Sequence, residues 1–524
     1  MKKEMNTQRV QTGALVVELK QAHVVHLEGI IAMKSTTGAQ QTGLESDALS
    51  NPHEQPAPSS KRRFNRRQLL GTGIGALAAA KVISAAGHAP SAMASANTAG
   101  QANTLASQSG TVTLRFMRFA GPQWEADTKF VNEFMQANPN IKVDAEDVIY
   151  AEMFNKCLAQ GGTNNLADVF SGHNIWAPYL AYKGLNFQLD DAVKAGKFTD
   201  FSDFFPSVIA DAKHIGVDGK LFWIPTVVHP AGNAVIVFNM NLMNDKGVTP
   251  PTSKEWTLDD YDKIIHAAAD PGKNIRGSDI NVIHPLYTQQ YTRSWGSDPV
   301  KGSEDAWLLS RDGKKLQLDS PPVKEALEWY HNLAKDGLVP TSGEKAALVG
   351  SGIDQFSAGM LASTAGTVGS VANYKQTVGN RFEMQSVLWP LGPHGHRGSC
   401  LSYNTQSVWS KSQHPDEAIQ LVNYITGPEP ALWTGLEGTL HCMARHSAWF
   451  SPKLWEKYPV MKDAAEWFAS GIDPFPQPYN LRFVEWQDAW GQETTAYFDG
   501  TEEWDQMYPH TQKQCQGIID QPRP

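Results

Sequence analysis

Basic side chains are in short supply over most of this sequence. Residues 1–94 carry 11 Lys and Arg against 6 Asp and Glu; the remaining 34 basic and 48 acidic side chains give residues 95–524 a net charge of −14. Such a surface repels a phosphate backbone, which excludes nucleic acid as a partner. Cysteine is also scarce. Cys157, Cys400, Cys442 and Cys515 are the full set, and no C-x-x-C spacing offers a zinc or dithiol site. In an oxidising compartment the four form at most two disulfides, in any of three connectivities. Cys157 lies beside Phe154 and Leu158 on one apolar helical face and reads as a buried free thiol. No apolar run approaches the roughly 20 residues of a permanent membrane span. Catalytic signatures are missing as well. There is no G-x-S-x-G and no H-E-x-x-H, and the carboxylate pairs Asp190-Asp191 and Asp259-Asp260 are chain neighbours that point apart, not across a scissile bond. His394 and His396 sit in a Gly/Pro loop and read as exposed. We assign no catalytic residue, no metal ligand and no cofactor.

What is present begins with an address. Asn65-Arg66-Arg67-Gln68-Leu69-Leu70 opens an uncharged, Gly/Ala-rich stretch to Ala80, and Ala92-Met93-Ala94 and Ala94-Ser95-Ala96 are cleavage candidates. Basic, mildly apolar and small-residue segments in that order make an export signal, and the paired arginines resemble the twin-arginine type. Gly71, Gly73 and Ala76 match G-x-G-x-x-A only formally, because the strand, helix and acidic residue of a dinucleotide site are absent around them. The reading is an extended N-terminal region over 1–64 (Met33 being an alternative start), a signal over 65–96 and a small-residue linker over 97–110. The folded part is expected in the periplasm or on the outer face of the cytoplasmic membrane.

From residue 111 the pattern is α/β. Val112-Thr113-Leu114-Arg115-Phe116 alternates as a strand does, and a helix follows with Trp124, Val131, Phe134 and Met135 inward, stopped at Asn138-Pro139-Asn140. Ile141 to Ala145 is a second strand, Met153, Phe154, Cys157 and Leu158 mark a second helix, and Ala167 to Phe170 is a third strand. That alternation predicts an open parallel α/β sheet. The pattern then restarts with an apolar strand between Asn233 and Asn239. Thr257 and Asp260 form a capping box before a helix burying Tyr261, Ile264, Ile265 and Ala268. Further helices start at Ser320-Pro321-Pro322, with Val323, Leu327, Tyr330 and Leu333 inward, and at Pro415-Asp416-Glu417, with Ile419, Val422 and Ile425 inward. The Trp-, Tyr- and Pro-rich tail reads as helical packing on the second half.

Several segments resemble, in order, the bacterial extracellular solute-binding proteins that include the maltodextrin-binding protein. They are FVNEFMQANPNIKVDAE, GTNNLADVFSGHNIWAPYLAYKGLNFQLDD, GKLFWIPTVVHPAGNAVIVFNMNLM, PPTSKEWTLDDYDKII, FSAGMLAS and GSCLSYNTQSVWSKSQHPDEAIQLVNYITGPE, spread over residues 111–435. The resemblance implies a two-lobed α/β receptor whose lobes, joined by crossing strands, close over a small ligand. It implies a first lobe of 111–235 and 405–440 and a second of 236–404 and 441–524. It also implies a monomer that hands its ligand to the permease subunits of an ABC importer.

Open α/β sheets bind ligands at strand ends. The candidates are Phe119 and Gln123 after the first strand, His173, Asn174 and Trp176 after the third, and His229 and Asn233 at the first crossing. The second half offers Tyr291, Trp295 and Gly296, then Gly366 and Thr367, and Ser399 near the return crossing. Trp176 and Tyr291 read equally well as core, His229 as a strand end before Pro230, and Asn233 as a turn former. Trp295, set among Ser294, Gly296, Ser297 and Asp298, is expected to be exposed and is the foremost candidate. A pyranose needs an aromatic for its C–H face and Asn, Gln or His for its hydroxyls; the candidates supply both, without the Arg/Lys cluster of an oxyanion site. Thr367-Val368-Gly369 stands where oligosaccharide-binding relatives often carry Trp, so the expected ligand is a mono- or disaccharide. A non-sugar solute, a sensor role and a secreted glycan-degrading enzyme are the alternatives.

Overall fold

The computed structural model describes residues 110–121, 125–230, 234–297, 304–348, 353–395, 397–399, 401–437, 444–470 and 479–524. The export signal, Met33, Gln123, Asn233, Cys400 and Cys442 therefore lie outside the described residues. All described residues belong to one unit, Ala102–Pro524.

Two sheets organise it. β1 (Val112–Phe119), β2 (Ile141–Val148), β3 (Val169–His173), β4 (Ile224–Pro230) and β9 (Leu401–Val408) form a five-stranded sheet in the order β2-β1-β3-β9-β4. β5 (Val235–Asn239), β6 (Arg276–Asp279), β7 (Leu361–Gly366) and β8 (Met384–Leu388) form a four-stranded sheet in the order β6-β7-β5-β8. The chain passes from one to the other between β4 and β5 and returns between β8 and β9. The open parallel sheet predicted from the early alternation is found for β2-β1-β3, and β6 and β7 also pair in parallel. β9 is antiparallel to β3 and β4, and β5 is antiparallel to β7 and β8. The reason is topological. Each of these two strands arrives from the other sheet, so it enters at the edge where its neighbours leave.

Local signals place the elements. Leu114 and Phe116 of β1 turn into the core, while β2 stands at a sheet edge and keeps Asp144, Glu146 and Asp147 outward, charges that discourage edge-to-edge pairing. The helix Glu125–Ala137 ends where the Asn138 amide donates to the Phe134 carbonyl at 2.9 Å. Thr257 and Asp260 make the predicted capping box at the head of Leu258–Ala268, whose Tyr261, Ile265 and Ala268 are buried. The helices Pro321–Lys335 and Pro415–Ile425 bury the predicted residues. Cys157 and Cys515 are free and buried, and burial pushes both thiols up to about 12.

The tail divides its packing. Helices Phe483–Phe498 and Trp504–Ile519 lie with Pro321–Lys335 in the second half, with the Tyr330 and Phe498 rings 5.5 Å apart and His331 stacked on Tyr497 at 4.3 Å. Residues 444–470 reach the first half instead. Buried Arg445 donates to the carbonyls of Thr426, Thr199 and Asp200 at 3.0, 3.1 and 2.6 Å, and Phe205 packs on Phe468 at 4.5 Å. Lys254 holds Glu466 at 2.9 Å, which ties the same segment to the second half.

Candidate functional site

Register shows which sheet edges meet. His173 pairs with Asn404 and Pro230 with Leu401, so the ends of β3 and β4 share one edge with the start of β9. Phe119 pairs with Val148, which brings the ends of β1 and β2 to that edge too. In the second sheet Val235 pairs with both Gly366 and Leu388. Short crossings join Pro230 to Val235 and Leu388 to Leu401, so these two edges face each other across a cleft.

The first wall is aromatic. Tyr150, which opens the helix Tyr150–Gly162 just past β2, has its ring 5.1 Å from Phe119 and edge-on to His173 at 5.8 Å. Tyr150 is 42% exposed and its neighbour Ile149 57%. Even so, removal from bulk water raises the Tyr150 hydroxyl well above the ordinary tyrosine value, and the Tyr287 phenol adds to the effect, while a hydrogen bond from Trp176 opposes it. A ring accessible to solvent yet hemmed in by protein belongs on the wall of a narrow cleft. Tyr287 lies on the helix Pro285–Thr292 of the second half.

The polar groups are held by local hydrogen bonds. His173 Nδ1 accepts from the Ile175 N–H at 3.3 Å, and its Nε2 lies 3.0 Å from the Ser402 hydroxyl at the start of β9. His284 Nδ1 accepts from the Leu286 N–H at 3.2 Å, and burial lowers its pKa to about 4. His284 is thus a neutral imidazole with its proton on Nε2, its ring 5.2 Å from Tyr287. Beside Gly366, the Thr367 hydroxyl and N–H each lie 3.1 Å from Ser370 Oγ.

Of the residues chosen from sequence, the structure gathers Phe119, His173, Gly366 and Thr367 at the facing edges. Trp176 stands next to them but is 4% exposed, packed on Phe154. Gly172 lets it in: a Cβ there would stand 2.5 Å from Thr405 Oγ1 and 3.2 Å from the Trp176 ring. Asn174 is a fastener. Its amide donates to the Leu401 carbonyl at 3.3 Å and accepts from Tyr403 N–H at 3.4 Å, binding the loop after β3 to β9. His229 lies in β4 opposite Ser402, and its side chain is outside the described residues.

Trp295 is corrected. It is 6% exposed, with its ring 5.9 Å from Tyr291 and 5.5 Å from Trp329. The surrounding Ser and Gly made it look like a surface loop, but they serve close packing. A Cβ on Gly398 would stand 2.6 Å from the Ser294 N, and Ser294 Oγ accepts from Trp389 Nε1 and Gly398 N–H at 3.0 and 2.9 Å. Tyr291 is fully buried, the Gly296 N–H donates to the Arg293 carbonyl at 3.2 Å, and Arg293 donates to the Ser399 carbonyl at 2.9 Å. Tyr150, His284 and Tyr287 were missed. Only Tyr150 left a trace in the sequence, as an apolar Ile149-Tyr150 pair just past an acidic strand.

Behind the first wall, Asp211 accepts from the Tyr403 hydroxyl at 2.8 Å, and burial pushes its carboxyl up to about 7 despite the bonds from Tyr403 and Asn174. At the far tail His510 sits between Glu493 and Glu502 at 2.5 and 2.9 Å; partial burial lowers its pKa, but these bonds outweigh that and raise it. Both groups have folded pKa values above their unfolded ones, so their stabilisation is present in acid and lost as pH rises through the folded values. Asp211 therefore lowers stability as pH rises between about 4 and 7, while His284, whose folded pKa lies below its unfolded one, raises it up to about pH 6.5, so the thermal midpoint is expected to fall between about pH 6.5 and 8. Asp211→Asn should flatten this fall in calorimetry; an unchanged slope would refute the assignment.

Among the described residues no cluster of three or more His, Cys, Asp or Glu could hold a metal, and no helix is long and apolar enough to cross a membrane. The fold matches solved receptors. An ABC substrate-binding protein of Listeria monocytogenes, solved with cycloalternan, is 17% identical with a TM-score of 0.64, over 78% of this chain and 97% of that one. The GacH receptor of Streptomyces glaucescens, solved unliganded and with acarbose, is 17% identical with a TM-score of 0.64, over 78% and 98%. A Thermotoga lettingae solute-binding protein bound to α-D-tagatose is 15% identical with a TM-score of 0.64, over 78% and 100%. Residues 129–441 match the family described as bacterial extracellular solute-binding protein. With that match covering more than half its length, the chain belongs to the bacterial extracellular solute-binding proteins.

Proposed function

We propose that this protein is the exported receptor of an ABC importer and holds a mono- or disaccharide in the cleft between its lobes. The observation that carries the reading is the exposed aromatic ring of Tyr150, packed edge-on to His173, together with the neutral imidazole of His284. An aromatic ring covers the C–H face of a pyranose, and neutral N–H donors suit hydroxyls while offering no charge to an oxyanion. Several structurally similar proteins were solved with sugars, which supports the ligand class. Ligand touching both walls would favour a closed arrangement, the form handed to the permease subunits. The twin-arginine signal and the lobe boundaries belong to the same proposal, with residues 444–470 shared between lobes.

The test is thermal unfolding of residues 97–524 against mono- and disaccharides, polyols, amino acids and oxyanions. A sugar at a hundredfold excess over its Kd is expected to stabilise the fold by about 2.7 kcal/mol. A response confined to amino acids or oxyanions would discard the carbohydrate reading and keep the receptor; hydrolysis of a glycan in the same samples would restore the enzyme reading.

A further inference from the structure

A second polar cavity lies wholly within the second half. It measures about 330 Å³, at the lower end of small-molecule sites, and is lined by Asp279, Lys345, Gln355, Phe356, Thr364 and Tyr374, among others. The floor is β6 and β7, with Asp279 and Thr364 paired in register. The helix Ser342–Leu348 supplies Lys345, and the helix Ser370–Val378 supplies Tyr374.

Its chemistry is unfinished. Lys345 Nζ lies 2.6 Å from Asp279 Oδ1, and the Asp354 carboxylate also lines the cavity. Burial works against the ammonium, but Asp279 and then Tyr330 hold it protonated. Gln355 is 7% exposed, and its Oε1 makes no hydrogen bond. A buried amide oxygen left unpaired is costly, so a group that donates to it is missing. Tyr374 and Thr364 add hydroxyls to the lining, while Phe356 and Leu361 give an apolar side.

We propose that this cavity is a second ligand site, for a neutral polyol no larger than a monosaccharide. A hydroxyl is the group that can donate to Gln355 Oε1 and Asp279 and also accept from Lys345. Two carboxylates, Asp279 and Asp354, against one ammonium disfavour an anion, and the C–H edges of a polyol suit Phe356 and Leu361. The cavity's lining includes none of the cleft candidates, although Tyr374 stands 4.0 Å from where a Gly366 Cβ would be.

Saturation-transfer NMR with glycerol, erythritol, xylitol, arabinose, glucose and inositol tests it on the full folded chain carrying Tyr150→Ala in the cleft. At least one probe is expected to give a saturable signal in that background. Gln355→Leu should weaken it at least about tenfold and Tyr374→Phe, a change that keeps the ring, about fivefold. No saturable signal from any probe, or a signal indifferent to both substitutions, overturns the proposal. Loss of cleft binding in the parent chain would leave these outcomes unaltered, so the two readings fail separately.

Discussion

Replacing Tyr150 by alanine should weaken sugar binding by about 30- to 1000-fold, equivalent to roughly 2–4 kcal/mol, while leaving the ligand-free protein as stable as before. The two halves of that expectation come from the same fact. Tyr150 is 42% exposed, so little core is lost, and it opens a helix, where alanine is well tolerated. Its ring is nonetheless positioned by Phe119 and His173, so the platform is fixed before ligand arrives and costs little ordering on binding. Tyr150→Phe separates ring from hydroxyl and should cost about fivefold, the worth of one hydrogen bond. Calorimetric titration with the sugar that stabilises the wild type measures both. Affinity for Tyr150→Ala within threefold of wild type would remove Tyr150 from the site.

Trp295→Ala should do the reverse. The side chain is 6% exposed and packed between Tyr291 and Trp329, so truncation opens a large cavity and should cost about 3–5 kcal/mol. In a lobe of this size that corresponds to a fall in Tm of roughly 6–20 °C. Any loss of affinity would follow from loosening of the helix Pro285–Thr292, which carries Tyr287 on the cleft wall. Trp295→Phe, which refills most of the volume, should recover most of the stability and all of the binding. If Trp295→Ala instead unfolds at the wild-type temperature and fails to bind, Trp295 is a ligand contact.

These two substitutions mark where reading the chain by itself worked and where it did not. The helices at Thr257 and Pro321 and the strand at Val112 were legible because caps, proline and apolar spacing act within a few residues. The sheet order was legible only in its first three strands. β9 and β5 run antiparallel because they arrive from the other sheet, and no local pattern encodes an arrival from far along the chain. Phe119, His173, Gly366 and Thr367 could be named because strand ends are where α/β sheets expose loops. Tyr287 and His284 could not, since both lie at the start of a helix whose placement depends on contacts with the helices Pro321–Lys335 and Phe483–Phe498 and with the return crossing.

The sequence by itself determined the class of protein: an acidic, two-part α/β chain without catalytic motifs, in ordered segments resembling one receptor family. It also determined most helix boundaries. Tertiary structure alone decided which aromatics are tools and which are core. Trp295 looked exposed because Ser and Gly surround it, yet Gly398 lets the backbone of the return crossing press against Ser294, and the indole is sealed beneath. Tyr150 went unnoticed in the sequence, and is left half-exposed against Phe119 and His173 because its helix starts just past the end of β2. Small residues are ambiguous in a sequence, since they permit either a solvated loop or a tight contact; only the partner, often a hundred residues away, resolves which.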